Sequence, residues 1–217
     1  MLVDKPAGWT SHDIVAKVRS LIKKETGQKI KVGHTGTLDP MATGLLILVI
    51  GSYTKRAGEF SKLDKIYEAE LTLGAMSTTG DKEGEVTKKS DEKPTLQQIE
   101  QALSQFKGKI QQIPHIYSAI KVDGKRAYKL VRAGQEVKIE PRVVTVHGIT
   151  DVKYDYPNLK LTVKVSSGTY IRSLAEDIGE VLVTGAYLSS LRRISVGEYK
   201  SSDAQQIDKI NLNGIIK

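Results

Sequence analysis

Gly33-His34-Thr35-Gly36-Thr37-Leu38-Asp39-Pro40-Met41-Ala42-Thr43-Gly44, followed without a break by Leu45-Leu46-Ile47-Leu48-Val49-Ile50, is the stretch from which the rest of the chain is read. From Lys31 to Gly44 the residues are rich in Gly, Thr and Pro and predict a loop. Leu45–Ile50 has the length and apolar character of a buried strand. A polar loop that runs straight into a buried strand is held firmly at one end, which suits a catalytic group. Within the loop, glycines permit backbone geometry that other residues resist. Pro40 pushes Asp39 out of the helical region and so fixes its direction. Two readings of Asp39 and Thr37 stand side by side: satisfying backbone N–H groups in a turn, or presenting a side chain for chemistry.

Upstream of this stretch, Thr10-Ser11 followed by Asp13 predicts a helix start, with a hydroxyl cap and a carboxylate in the first turn. Ile14, Val15, Val18, Leu21 and Ile22 then share one face. Downstream, Tyr67, Ala69, Leu71 and Leu73 alternate with Glu68, Glu70 and Thr72, the period of a half-buried strand. Ser77 to Pro94 is polar and predicts a surface excursion, after which Thr95 caps a second amphipathic helix carrying Leu96, Ile99, Leu103 and Phe106. Val122-Asp123-Gly124-Lys125 reads as a hairpin turn or a short loop. Arg142–Ile149 and Leu159–Ser166 predict two more strands, and Gly168 turns the chain into a helix bearing Ile171, Leu174, Ile178 and Leu182. Strands and helices mix without a regular βαβ rhythm. The expected fold class is therefore α+β, with a mixed, largely antiparallel sheet flanked by helices. Residues 1–200 are expected to form one domain, and the stretch from Ser201 to Lys217 a short tail.

Composition narrows the function classes. With 33 Lys and Arg against 25 Asp and Glu, the formal charge of the 217-residue chain is +8, which favours a polyanionic partner. The absence of cysteine excludes disulfides, thiolate metal sites, iron–sulfur clusters and thiol nucleophiles. No apolar run reaches the roughly 18 residues of a membrane helix, and Met1-Leu2-Val3-Asp4-Lys5 lacks a signal-peptide pattern. The expectation is a cytoplasmic monomer with no membrane association. Dinucleotide, P-loop, zinc-protease and serine-hydrolase signatures are missing, and His12, His34, His115 and His147 show no metal-ligand spacing. Neither a metal nor a cofactor is expected.

Three further features stand out. Arg172 lies in the first turn of a predicted helix, where a cation opposes the macrodipole at a cost of about 0.3–1 kcal/mol. Its compensation is a bound phosphate or a carboxylate, either Glu176 one turn on or one distant in sequence, with Asp39 as the candidate. Tyr67 is either a core residue of its strand or a stacking platform for an unpaired base. Lys121, Lys125, Arg126, Lys129 and Arg132, interleaved with Tyr117 and Tyr128, form either a solvated helix face or, in view of the net charge, an RNA-binding surface.

Together these segments resemble the TruB family, the tRNA pseudouridine-55 synthases. The resemblance rests on Asp4-Lys5-Pro6-Ala7-Gly8-Trp9-Thr10-Ser11, Gly33 through Gly44, and Asp64-Lys65-Ile66-Tyr67. It continues through Pro114-His115-Ile116-Tyr117-Ser118-Ala119-Ile120-Lys121, Gly168-Thr169-Tyr170-Ile171-Arg172-Ser173-Leu174, and Leu191-Arg192-Arg193. It implies a pseudouridine synthase catalytic fold and isomerisation of a uridine in the T-loop of tRNA. Asp39 would be the catalytic aspartate, Tyr67 the residue stacked on the flipped base, and Arg172 the partner of the aspartate. Tyr170 and Leu191 would line the base pocket, Lys5 would belong to the substrate-binding set, and His34 would enter the RNA loop. The segment at about 117–140 would be a thumb closing on the T-arm stem-loop. A complete C-terminal domain of the PUA type, usual in relatives, is not found before Lys217.

Overall fold

Thr10 opens the first helix as its context predicts. In the computed structural model of the chain, which describes residues 1–116, 121–122, 125–127, 130, 134–135, 137 and 139–212, the Thr10 hydroxyl accepts from the Asp13 N–H at 3.1 Å. The Asp13 carboxylate accepts in return from the Thr10 N–H at 2.8 Å. This reciprocal box satisfies two of the N–H groups that a helix start leaves without partners. A second box of the same kind joins Thr95 and Gln98.

In chain order the described elements are β1 (Leu2–Lys5), α1 (Ser11–Thr26), β2 (Val32–His34), β3 (Thr43–Ile50), α2 (Ala57–Ser61), β4 (Lys65–Leu73), β5 (Ala75–Ser77) and β6 (Val86–Lys88). There follow α3 (Leu96–Ser104), β7 (Gly108–Gln112), β8 (Lys121–Val122), β9 (Lys125–Arg126), β10 (Arg142–Asp155) and β11 (Asn158–Val165). The last are α4 (Ile171–Val181), β12 (Ala186–Val196), β13 (Tyr199–Lys200) and β14 (Gln205–Gln206). The expected class, a mixed and mainly antiparallel sheet with helices, is the one found. The chain divides into two compact units, residues 1–67 with 191–217 and residues 68–190, with both boundaries inside strands, β4 and β12.

In the first unit β3 is the central strand. It pairs antiparallel with β1 on one side and with β2, and parallel with the end of β12, at Arg192↔Thr43 and Arg193↔Gly44. Every residue of β3 from Gly44 to Val49 is buried, as the unbroken apolar run requires. Ile14, Val15, Val18 and Ile22 of α1 pack with Leu46 and Leu48 in one core, and Leu21 lies at its edge. Ile207 and Leu212 join the same core, and β14 pairs parallel with β1, so the chain from Gln205 to Leu212 is packed into this unit. The loop predicted from Lys31 onward is shorter than expected. Val32–His34 pairs with Leu48–Ile50, an edge pairing that three residues are too short to announce.

In the second unit β10 runs antiparallel to both β7 and β11. β4 follows its predicted alternation, with Tyr67, Ala69, Leu71 and Leu73 buried. Beside it lies the first half of β12, whose Ser189 hydroxyl donates to the Glu70 carbonyl at 3.0 Å. β8 and β9 pair antiparallel, with Val122 opposite Lys125; the two residues between them, 123 and 124, lie outside the described residues. One expectation fails. The polar stretch from Ser77 is not wholly a surface excursion, because Ser77 and Asp81 are buried at 9% and 3% exposure, and Asp81 forms a parallel bridge to Leu188. A polar segment is buried here because its own groups satisfy one another. The Thr79 hydroxyl donates to the Asp81 carboxylate at 2.7 Å, and the Glu83 N–H donates to it at 3.0 Å.

Candidate active site

Each unit carries its own group of the candidate residues. The first holds Lys5, His34, Asp39, Tyr67 and Leu191, and the second holds Tyr170 and Arg172.

In the first unit, the loop between β2 and β3 is clamped on both sides of Asp39. At Leu38 a single hydroxyl, that of buried Ser11, accepts from the N–H at 2.8 Å and donates to the carbonyl at 3.2 Å. At Pro40 the carbonyl accepts from the Gly8 N–H at 2.9 Å and from the Lys5 ammonium at 3.2 Å. Lys5 is fully buried, and its ammonium also donates to the carbonyls of Trp9 and Pro6 at 2.6 and 2.9 Å. A charge so deeply buried is tolerated only when its donors are met. Lys5 therefore ties the start of α1 to the catalytic-loop candidate. Leu38 and Met41 are buried on either side of half-buried Asp39, so the residue is anchored by apolar neighbours in the chain.

Further along, buried Arg193 donates to the carbonyls of Gly36 at 3.1 Å and Leu45 at 2.7 Å. Gly44, at φ +98°, leaves room for this strand: a Cβ there would lie 2.3 Å from the Arg193 carbonyl oxygen. Leu191 is buried at 6% exposure, and its carbonyl accepts from the Thr43 hydroxyl at 3.5 Å. Arg192 grips Asp4 with two bonds at 2.8 and 3.0 Å. His34 ends β2, opposite Leu48, and is half-buried. Tyr67 is 8% exposed in β4.

In the second unit, Gly168 turns the chain at φ +85° into α4, whose N-cap is Tyr170. Arg172, 6% exposed, lies in the first turn and donates to the Thr79 carbonyl at 3.0 Å. Its guanidinium stands 3.4 Å from the Asp81 carboxylate, itself 3–4% exposed. The dipole penalty at Arg172 is thus compensated from outside its own helix. Glu176 faces His115 instead, at 3.5 Å.

Asp81 is the site residue that sequence reasoning missed. An acid amid Ser77, Thr78, Thr79 and Gly80 has the composition of a turn, and nothing local distinguishes a turn carboxylate from the partner of an arginine 91 residues away. Gln112, which binds both backbone groups of Tyr170, was missed for the same reason. Of the basic run, Lys129 and Arg132 lie outside the described residues, as does most of the expected thumb at 117–140; Lys121, Lys125 and Arg126 fall on β8 and β9. Among the described residues no three His, Asp or Glu side chains gather as a metal ion would need, and no helix is long and apolar enough to cross a membrane.

Comparison with solved structures defines the class. The chain matches a chain of a Cbf5-Nop10-Gar1 complex with a TM-score of 0.70 and 29% identity, covering 95% of this chain and 53% of that one. It matches a chain of an H/ACA RNP bound to a substrate RNA containing 2'-deoxyuridine with a TM-score of 0.67 and 27% identity, over 95% and 51% of the two. The chain belongs to the TruB family of pseudouridylate synthases, whose N-terminal domain matches residues 23–171 and whose tRNA pseudouridylate synthase B C-terminal domain matches residues 172–213. The tRNA pseudouridine synthase B of Cupriavidus metallidurans is 44% identical over 97% of this chain and 66% of its own length. The protein of the same name from Phocaeicola vulgatus is 44% identical over 94% and 88%. The chain thus spans about two thirds of the first of these relatives and most of the second.

Proposed function

We propose that this protein isomerises a uridine in the T-loop of tRNA, at position 55, to pseudouridine. The observation that carries the reading is the clamp on the 35–44 loop. Backbone bonds to Ser11, Lys5, Gly8 and Arg193 fix the loop on both sides of Asp39, a residue that is itself only half-buried. A group that reacts needs this combination, since positioning supplies much of the rate.

The reaction moves no electrons to or from the substrate. The bond between ribose C1′ and uracil N1 breaks, uracil rotates, a bond forms between C1′ and C5, C5 loses its proton and N1 gains one, so composition is unchanged. Asp39, Tyr67 and Arg172 are the catalytic set. Asp39 acts at the sugar, and the Tyr67 ring stacks on a base taken out of the T-loop, a contact worth about 1–3 kcal/mol. That contact offsets part of the few kcal/mol that unstacking costs. Tyr170 and Leu191 line the base pocket, and His34 fills the space the base leaves. Lys5 serves substrate binding through the loop it pins. Lys121, Lys125, Arg126, Lys129 and Arg132, on a thumb at 117–140, contact the phosphate backbone of the T-arm. Residues 1–200 form the catalytic domain, with 201–217 a short extension. The protein works as a cytoplasmic monomer on tRNA.

Incubation of the purified protein with an unmodified T-arm stem-loop, without added metal, followed by nucleoside analysis, tests the reading. Pseudouridine at one T-loop uridine, that of position 55, is the expected product. An RNA left unmodified at saturating protein overturns it.

A further inference from the structure

Gln112 ends β7, opposite Arg142 of β10, and its side chain is buried at 2% exposure. Its amide oxygen accepts from the Tyr170 N–H at 2.8 Å, and its amide nitrogen donates to the Tyr170 carbonyl at 3.0 Å. Only one orientation of the amide satisfies both, so the side chain acts as a one-residue ladder partner for Tyr170. That same carbonyl accepts the first bond of α4, from the Leu174 N–H at 3.1 Å. Tyr170 is an N-cap without a side-chain cap. Gln112 therefore holds the backbone of the N-cap residue itself from outside the helix, a different bond from the one a Ser, Thr or Asp cap makes to the first-turn N–H groups.

We propose that Gln112 is a positioning residue for the reaction: it sets the Tyr170 ring and the first turn of α4, from which Arg172 projects two residues on. This rests on the functional reading given above. Two other bonds join the chain after β7 to α4. The Ser173 hydroxyl donates to the Ile113 carbonyl at 2.9 Å, and His115 stands 3.5 Å from Glu176. Loss of Gln112 therefore leaves the helix attached while freeing its first residue. Geometry is lost before the fold is.

The test compares Gln112→Met, which keeps length and removes both bonds, with Gln112→Glu. A protonated carboxyl offers one donor and one acceptor, as the amide does. An ionised one turns a second acceptor against the Tyr170 carbonyl. Single-turnover pseudouridine formation on a T-arm stem-loop is measured per folded molecule beside the wild-type protein, with RNA affinity measured separately. Gln112→Met is expected to lose roughly 10- to 100-fold in rate with RNA affinity changed by no more than about twofold. Gln112→Glu is expected to approach wild-type rate near about pH 5.5 and to fall away toward about pH 8, since burial raises a glutamate's pKa above its usual value near about 4.3.

A merely structural role would lower the folded fraction of both variants without giving one of them a new pH limb. A wild-type rate in Gln112→Met, a flat ratio to wild type in Gln112→Glu, or failure of both variants to fold overturns the proposal. Wild-type protein that makes no pseudouridine overturns the functional reading instead, and this inference with it.

Discussion

Asp39 stands half-buried between buried Leu38 and Met41, and its two roles, turn-former or reacting group, separate on substitution. Asn in its place keeps the side chain's shape and its acceptor oxygen for backbone N–H groups, but removes the charge. Asp39→Asn is expected to abolish isomerisation and to keep tRNA binding, measured by nucleoside analysis and filter binding. Loss of both would make Asp39 a turn residue only. The pair of Arg172 and Asp81 is buried on both sides, so it is vulnerable from both. Removing one partner of a buried ion pair typically costs about 3–5 kcal/mol. Asp81→Asn is expected to lower both turnover and melting temperature. Arg172→Lys keeps the charge but not the planar fork, and is expected to impair turnover with little change in tRNA affinity. Full activity in the lysine variant would remove Arg172 from the catalytic set.

Elements carry the next prediction. β3 and β12 approach so closely at Gly44 and Arg193 that no side chain fits at Gly44, whose φ of +98° an L-residue also resists. Gly44→Ala is expected to destabilise the first unit by about 2–4 kcal/mol, read as a lower urea midpoint with an unchanged slope. The unchanged slope matters because it distinguishes lost native stability from an altered unfolded state. α1, β4, the second helix start at Thr95 and the β8–β9 pairing were legible because each advertises itself within a few residues. β1, β7 and β12 were not. β12 interrupts its apolar positions with Arg192 and Arg193, and partners distant in sequence, among them the Asp4 carboxylate and the Gly36 and Leu45 carbonyls, make those cations acceptable there.

For the molecule as a whole, buried Lys65 and half-buried Asp177 set opposite pH limbs. Burial, with Arg193 nearby and Asp64 opposing, brings the Lys65 pKa down to about 8 from 10.5. Between those values the unfolded chain holds the extra proton, so this group's contribution to stability rises with pH across that window and is at its least below about 8. Asp177 behaves in the reverse sense. Burial, followed by Glu176 and Glu180, pushes its pKa up to about 6 from 3.8. Here the folded chain holds the extra proton, so stability from this group declines as pH rises from 3.8 to about 6 and stays at its lower value above. Asp177→Asn is expected to be more stable than the natural protein at pH 7, with the difference shrinking as pH falls toward 4, in urea titrations at each pH. A difference independent of pH would show that Asp177 is not the group responsible.

From the residues alone came the α+β class, the capped helix α1, the alternation of β4, the loop bearing Asp39 and the choice of Asp39, Tyr67 and Arg172 as candidates. These are properties of neighbours in the chain: spacing, capping and periodicity act over a few residues, and recurring segments carry a family's stamp. The tertiary structure alone decided that Lys5 is a buried pin for the Pro40 carbonyl, that Arg193 is a clamp on Gly36 and Leu45, that Asp81 stands beside Arg172, and that Gln112 holds both backbone groups of Tyr170. Each of these joins residues at least 35 positions apart. A buried polar group must find its partner wherever folding brings one, and no local pattern records where that is.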